Sequence, residues 1–316
     1  MTDIWLASKT RAAINEALAA DRGNAYRQWL GRVLPHMSDA YRSDDDGHRT
    51  HLGASLIGAE CSRALAFGWL WASPSVPRGK KKEPPTDAAA RMYRLWNRGH
   101  LEEGRFIAML LMIGAQVYQQ DDDGKQYRIT AFGGHFGGSL DGIALGIPDL
   151  PVGVPCLTEF KTHDEKSFTD VQEFGVRESK PQHYVQMQMY MGKRGLQYAL
   201  YMAVNKNTDE IHCEIVMYDG RTDAVYLERA REIIFCDTLP ARINGASPAF
   251  HVCKYMCDHT LVCFHTKDPA RNCRTCAHSR ALETGDWVCA LTGEVLDKRA
   301  QEAGCPKYVL HSRFSV

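Results

Sequence analysis

The sequence predicts an α/β fold that ends in a cysteine-rich region. A helical pattern over residues 87–114 is followed by three strand patterns, a helix, two further strands and another helix. Alternation of this kind is typical of an α/β core. The chain has 11 cysteines, and seven of them lie between Cys253 and Cys305. The last part of the chain therefore differs in composition from the predicted core.

With 316 residues, the chain is long enough for one large domain or two ordinary ones. We divide it into an N-terminal helical region over 1–86, a core over 87–245 and a cysteine-rich, metal-dependent region over 246–316. A linker over 73–86 contains a basic run, which is either a solvated loop or a DNA-backbone contact. That run consists of Arg78, Lys80, Lys81 and Lys82.

Composition excludes some classes of protein. The 38 basic and 38 acidic residues give a net charge of zero, which argues against a protein that coats nucleic acid without specificity. No apolar run approaches the roughly 20 residues of a membrane helix, and the longest, Phe106–Val117, is typical of a core helix. The first residues resemble no signal peptide, so we expect a cytoplasmic protein that does not bind membranes.

The helical pattern over 87–114 has two faces. One carries Glu102 and its expected salt-bridge partners, which are Arg91, Arg94, Arg98 and Arg105. The other is apolar, with Trp96, Gly99, Phe106 and Leu110, and it also carries Glu103. A carboxylate directed at a core is costly unless it is paired or bound to a metal. Glu103 is therefore either a metal ligand or a glutamate at the rim of the apolar face.

The other elements follow from periodicity and from glycine and proline positions. Strands are predicted over 127–132, 137–145, 156–162, 197–204 and 211–218. Helices are predicted over 180–193, after Pro181, and over 222–239.

Three residues form the candidate centre of chemistry. Asp141 lies at a glycine-rich strand end, and Glu159 and Lys161 follow on one predicted strand. Residues i and i+2 of a strand project to the same side, and Asp141 approaches Glu159 if the two strands form a hairpin. Two carboxylates with carbonyl oxygens suit Mg²⁺ or Mn²⁺. A neighbouring lysine can orient water or stabilise charge on a phosphate oxygen.

Four blocks in this order resemble the PD-(D/E)XK nuclease superfamily, in its RecB-like and phage-exonuclease branch. They are Gly99–Glu103, Asp141 among glycines, Glu159–Lys161 and Gln186–Tyr190. Leu140 stands where the family usually has proline. The resemblance implies a restriction-endonuclease-like core, in which helices flank a central mixed sheet.

The resemblance also implies an activity, namely metal-dependent hydrolysis of DNA by an exonuclease or end-processing nuclease in recombination, repair or phage DNA metabolism. Asp141, Glu159 and the Phe160 carbonyl would hold Mg²⁺ or Mn²⁺, with Glu103 as a further or water-mediated ligand. Lys161 would help to activate water. Gln186 and Tyr190, one helical turn apart, would contact DNA or order the site. His100 is either a metal ligand or a surface histidine.

DNA is the expected partner, and two alternative functions remain. One is a zinc-dependent DNA-binding or adaptor protein with an inactive nuclease fold. The other is a sequence-specific restriction-type endonuclease. The sequence contains no G-x-x-x-x-G-K-[ST] loop, so processive cleavage would need a homo-oligomer or a recombination or annealing protein.

The cysteines form two sets. Cys273, Cys276, Cys289 and Cys305 have the number and the leading C-x2-C spacing of a structural zinc site. Cys253, Cys257 and Cys263 need a fourth ligand. RecB-like nucleases with one cysteine before the core and three after it bind a 4Fe–4S cluster, and this resemblance assigns Cys61 as the fourth ligand, although C-x3-C replaces the usual C-x2-C. Zinc with His259 or His265, or no metal, is the alternative. Cys156, Cys213 and Cys236 are predicted core residues.

Overall fold

The computed structural model describes residues 4–41, 49–73, 85–243 and 247–315. The predicted basic run over 78–82 lies outside these residues. The described chain contains no helix that is long and apolar enough to cross a membrane.

Strands and helices alternate along much of the described chain. In chain order, the strands are β1 (Leu52–Gly53), β2 (Gln116–Tyr118), β3 (Arg128–Ala131), β4 (Phe136–Ser139), β5 (Gly142–Leu145), β6 (Cys156–His163), β7 (Tyr198–Asn205), β8 (Ile211–Met217), β9 (Ser279–Ala281) and β10 (Trp287–Cys289). The helices are α1 (Ser8–Ala20), α2 (Asn24–Val33), α3 (Ser38–Tyr41), α4 (Ser62–Trp69), α5 (Pro85–Met112), α6 (Glu165–Ser179), α7 (Pro181–Arg194), α8 (Gly220–Ile234), α9 (His251–Met256), α10 (Thr260–Cys263) and α11 (Lys298–Ala303).

The chain forms two compact units, each assembled from three segments. The first consists of Met1–Asp45, Pro77–Ile129 and Ser139–Asp223, and the second of Asp46–Val76, Thr130–Gly138 and Ala224–Val316. The division of the sequence into three consecutive regions stays a prediction.

A five-stranded sheet forms the centre of the first unit, in the order β2-β5-β6-β7-β8. Strands β6 and β7 are parallel, whereas the other neighbouring pairs are antiparallel. The sheet is therefore mixed and packs against helices, which confirms the predicted α/β class with a central mixed sheet.

The alternation of side chains along β6 gives this sheet two different faces. Phe160 packs on Phe106 of α5 with ring centroids 5.2 Å apart, and buried Leu200 and Met202 of β7 belong to the same core. Glu159 and Lys161 project to the opposite face, as the two-residue period of a strand requires. The sheet thus places an apolar core directly behind the strand that carries the charged residues.

The prediction of one strand over 137–145 is wrong. β4 and β5 belong to different sheets, and the strand conformation is interrupted at Leu140 and Asp141. The Leu140 N–H leaves the ladder and donates to the Tyr127 carbonyl at 2.9 Å. At Gly142, a Cβ atom would lie 2.9 Å from Thr158 Oγ1, so glycine permits the close pairing of β5 with β6. The interruption places Asp141 at the strand end beside β6.

The second unit contains a three-stranded sheet in the order β1-β4-β3 and the antiparallel hairpin β9–β10. Arg274 is buried within it, and its guanidinium carbon lies 3.7 Å from the ring centroid of Trp71 and 4.4 Å from that of Trp69. It donates to the carbonyls of Trp69 and Thr50 at 2.9 and 3.1 Å. These contacts attach the cysteine-rich segment to residues that precede it by about two hundred positions.

Candidate active site

Antiparallel pairing of β5 with β6 brings Asp141 next to Glu159. Gly142 pairs with Thr158, and the Phe160 N–H donates to Asp141 Oδ2 at 2.8 Å. The hairpin geometry expected from the sequence is therefore present. The hydrogen bond fixes one carboxylate oxygen of Asp141 against the backbone of β6.

Glu159 is fully buried, and only one of its two carboxylate oxygens has a hydrogen-bond partner in the described structure. Its Oε1 accepts from Lys161 Nζ, whereas its Oε2 is buried and has no hydrogen-bond partner in the described structure. Lys161 Nζ also lies 3.3 Å from the Phe160 carbonyl oxygen. The ammonium thus contacts two oxygens that the sequence assigned to a metal ion, and a third oxygen beside them remains without a proton donor.

Glu103 of α5 joins this group of acids. Its Oε1 lies 3.4 Å from His100 Nδ1, and its side chain retains 20% of its exposure. Glu102, the preceding residue, turns away, is more deeply buried and pairs with Arg105 at 2.9 Å. The predicted pairing of Glu102 with an arginine is therefore confirmed, and Glu103 has a different partner. The predicted burial is wrong, because Glu102 is more deeply buried than Glu103, and Trp96, placed on the apolar face, is 47% exposed.

The charges in this cluster oppose one another. Burial raises the pKa of Asp141 well above its ordinary value, and the neighbouring carboxylates Glu159 and Glu103 raise it further. Burial also raises the pKa of Glu159, while the Lys161 ammonium opposes that rise. For Lys161, burial lowers the pKa, but Glu159 and Asp141 outweigh it, and the net direction is upward. Three acids with one base leave an excess of negative charge, which a bound cation would relieve.

Gln186 and Tyr190 lie together on α7. Gln186 Nε2 is 3.5 Å from Tyr190 Oη, and the two residues are 6% and 2% exposed. Their burial favours a role in ordering the site over direct contact with DNA.

A hydrogen-bonded cluster beyond Lys161 was not predicted from the sequence. Tyr201 of β7 is the register partner of Glu159, and its Oη lies 2.7 Å from His163 Nε2 and 3.1 Å from His183 Nδ1. Burial, reinforced by the cations Lys180 and Lys161, lowers the pKa of His163 to about 4. His163 follows Glu159 by four residues on β6, so the two-residue period alone could have placed it on this face.

The structure also brings each predicted cysteine set together. Cys61, Cys253, Cys257 and Cys263 line one cavity of the second unit. The thiols of Cys276, Cys289 and Cys305 all act electrostatically on Cys273, whose pKa is raised by burial first and by these thiols second. All 11 cysteines are free thiols. Cys156 and Cys213 are buried in the core as predicted, while Cys236 is half-buried and lies 3.9 Å from an Arg313 nitrogen.

Within the described residues, no three Cys, His, Asp or Glu side chains are arranged as metal ligands. His259, one alternative ligand, has its Nδ1 2.6 Å from Ser73 Oγ. The described residues that were predicted to bind metals are therefore neighbours, but their side chains do not have the arrangement of a complete set of metal ligands.

Comparisons with known proteins add a likeness in three-dimensional structure. No family model and no curated protein matches the chain. It is similar to the crystal structure of LHK-Exo in complex with dAMP, with 15% identity and a TM-score of 0.36 over 58% of this chain and 86% of the other. A second is the alkaline exonuclease LHK-Exo from Laribacter hongkongensis, with 14% identity and a TM-score of 0.35 over 66% and 90%.

A third similar structure is that of SSO0001, with 13% identity and a TM-score of 0.37 over 74% of this chain and 96% of the other. With identities of at most 15% and TM-scores of at most 0.37, these likenesses do not decide what this chain does. Its activity must therefore be inferred from its own residues.

Proposed function

We propose that the chain is a deoxyribonuclease that requires Mg²⁺ or Mn²⁺ and acts as an exonuclease or end-processing nuclease. The observation that carries the proposal is the unpartnered, buried Oε2 of Glu159, next to Asp141 and Glu103. A buried carboxylate oxygen without a donor is costly, and a bound cation would offset that cost. Oxygen donors of this kind suit Mg²⁺ and Mn²⁺.

Asp141, Glu159 and the Phe160 carbonyl would hold the ion, with Glu103 as a further or water-mediated ligand. The ion would supply positive charge to the phosphoryl oxygens and favour deprotonation of the attacking water. Hydrolysis adds water across one P–O bond and leaves a terminal phosphate and a free hydroxyl.

Lys161 acts in this scheme as a cation. Because its pKa is raised by Glu159 and Asp141, it keeps its proton at neutral pH. It would therefore donate hydrogen bonds to a phosphoryl oxygen or to the attacking water and would not accept the proton of that water. Gln186 and Tyr190 would hold α7 against the face of the sheet that carries Glu159 and Lys161, and they would not contact the phosphate.

The first test measures cleavage of end-labelled single- and double-stranded DNA with Mg²⁺. Asp141→Asn and Lys161→Met preserve side-chain size, and each should lower the rate by about 10²-fold or more. Asp141→Asn would weaken the binding of the ion, and Lys161→Met would remove a positive charge beside the reacting phosphate. Glu102→Gln is the matched control, since Glu102 pairs with Arg105 outside the cluster, and it should keep the wild-type rate.

Circular dichroism and thermal melting establish that each variant is folded. Cleavage by folded Asp141→Asn at the wild-type rate would contradict the proposal. DNA binding by the wild-type protein without any cleavage would instead support the alternative of an adaptor protein with an inactive nuclease fold.

We further propose that Cys61, Cys253, Cys257 and Cys263 hold a 4Fe–4S cluster. The support is their meeting in one cavity although Cys61 precedes the others by nearly two hundred residues. Four thiolates suit an iron–sulfur cluster or zinc. For Cys273, Cys276, Cys289 and Cys305 we propose a structural zinc ion, supported by the electrostatic effect of the other three thiols on Cys273.

Metal analysis of an anaerobic preparation tests both assignments. We expect a brown protein that absorbs near ~400 nm from thiolate-to-iron charge transfer and contains one zinc per chain. Cys61→Ser should remove the absorption, while Cys213→Ser, at a buried core cysteine, should retain it. A colourless protein with two zinc ions per chain would overturn the iron–sulfur assignment, and one without zinc would overturn the zinc site.

A further inference from the structure

An aromatic pair lies exposed on α5, the helix that also supplies Glu103. Tyr93 and Trp96 are 61% and 47% exposed, and their rings meet edge to face with centroids 5.4 Å apart. Further along the same helix, Phe106 and Leu110 are fully buried in the core. Two large aromatic side chains in contact at the surface offer a flat, apolar face to a ligand, and their position decides which site that ligand can reach.

The pair is aligned with the candidate active site. At about 100° per residue, Tyr93, Trp96, His100 and Glu103 fall within a stripe about 80° wide along α5. At about 1.5 Å per residue, Trp96 lies roughly 10 Å along the helix axis from Glu103. His100 stands between them and contacts Glu103 at 3.4 Å. The stripe thus runs from the aromatic pair directly to the acidic cluster.

We propose that Tyr93 and Trp96 form a stacking platform for unpaired DNA bases about three nucleotides from the phosphate held at Asp141, Glu159 and Lys161. This inference rests on the proposed nuclease function and adds the form of its substrate, a single strand or a frayed end. A strand advances about 3.4 Å per nucleotide when its bases are stacked, which matches the roughly 10 Å along α5.

The charges of α5 favour bases over phosphates as the group bound here. Arg91, Arg94 and Arg98 project to the opposite side of the helix, about 140–200° from Trp96. The stripe therefore offers aromatic faces and edges but no arginine or lysine. Aromatic side chains of this kind stack on bases with little dependence on sequence.

The size of the platform distinguishes DNA from a second protein chain as the occupant. Tyr and Trp contribute about 150–250 Å² each when buried. A stable protein–protein interface buries about 800 Å² on each partner. Two aromatic side chains suit one or two bases and cover only part of a protein interface.

The test measures binding of a fluorescein-labelled, 12-nucleotide single strand by anisotropy in a Glu159→Gln background, so that binding is read without cleavage. Trp96→Leu should weaken binding about tenfold, and Trp96→Phe should restore most of it, because Phe keeps a stacking face. An otherwise identical strand with abasic residues should bind equally whether or not the protein carries Trp96→Leu.

Trp5 provides a matched control. It is 39% exposed and forms an edge-to-face pair with Tyr198 at 6.0 Å, but it does not lie on α5. Trp5→Leu should leave binding of both strands unchanged. Unaltered binding by Trp96→Leu, or an equal loss on the abasic strand, would overturn the platform. So would a wild-type dimer in gel filtration that Trp96→Leu dissociates.

The failure of this inference can be distinguished from failure of the proposed function. If the wild-type protein cleaves DNA but Trp96→Leu binds normally, only the platform is wrong. If binding depends on Trp96 and no cleavage occurs with any divalent ion, the platform is retained and the nuclease proposal fails.

Discussion

Glu159 and its neighbours illustrate how one residue type, placed differently, acquires different chemistry. Glu102 and Glu159 each pair through one oxygen and keep the other buried without a hydrogen-bond partner in the described structure. The difference is their surroundings, because Glu102 pairs with Arg105, whereas Glu159 lies beside the carboxylates of Asp141 and Glu103. The two-residue strand period predicted the shared face of Glu159 and Lys161. It could not predict Tyr201 as the neighbour of Glu159, because that contact depends on how β6 and β7 align.

The pKa of His163 leads to a prediction about stability. Burial lowers this pKa from 6.5 to about 4, so the folded protein disfavours the protonated form. The contribution of neutral His163 to the free energy of unfolding is fully present above pH 6.5 and is lost as pH falls towards 4. At pH 5, the loss is about 2 kcal/mol. Urea denaturation at pH 7 and pH 5 measures this loss, and His163→Gln should reduce it by that amount.

Ser167→Ala is the control for His163→Gln. It removes the hydroxyl 3.0 Å from His163 Nδ1 but keeps the titratable ring. The pH-dependent loss should therefore persist in Ser167→Ala. An identical loss in wild type and His163→Gln would assign it to other groups.

Individual elements were predictable where their side-chain period is regular. β6 and α7 were predicted within one or two residues, and α5 extends over Pro85–Met112 where 87–114 was expected. α6 was not predicted, and its helical period is broken at Gly175, where φ is 69° and ψ is 170°. The strand predicted over 137–145 divides at Asp141 because a hydrogen bond from Leu140 to Tyr127, distant in sequence, directs the chain out of one sheet.

Gly175 is the position at which α6 departs from helical geometry. A Cβ atom there would lie 3.0 Å from Ile4 Cγ1 and 3.2 Å from Glu214 Oε1, and the next N–H, of Val176, donates to Glu214 Oε2 at 3.0 Å. Gly175→Ala combines this contact with a backbone conformation that essentially only glycine adopts. We expect a loss of about 2–3 kcal/mol in the free energy of unfolding.

Gly195 serves as the matched control, because its φ of 67° is similar but no atom lies within 4 Å of the position that an added Cβ would occupy. Gly195→Ala should lower the free energy of unfolding by about 1 kcal/mol, because alanine there would adopt the left-handed conformation without meeting a neighbouring atom. Chemical denaturation of both variants compares the two costs. Equal destabilisation would show that the close contacts around Gly175 contribute nothing.

At the scale of the whole molecule, residues that are distant in sequence meet within one compact unit. Cys61 was assigned to the later cysteines, and they share a cavity. Each unit nevertheless consists of three separate segments, which local periodicity cannot indicate. Local periodicity cannot indicate the contacts of Arg274 with Trp69 and Trp71 either, since they link positions about two hundred residues apart.

The proposed cleavage of DNA requires a divalent cation at Asp141, Glu159 and Glu103. The most direct test is the initial rate of cleavage of an end-labelled strand as a function of Mn²⁺ concentration, for wild type and Glu159→Gln. We predict a rate that rises with Mn²⁺ and saturates in the wild-type protein, and a rate lower by about 10²-fold or more in Glu159→Gln at every concentration. Full wild-type cleavage in the presence of a chelator, or the same Mn²⁺ dependence in Glu159→Gln, would contradict it.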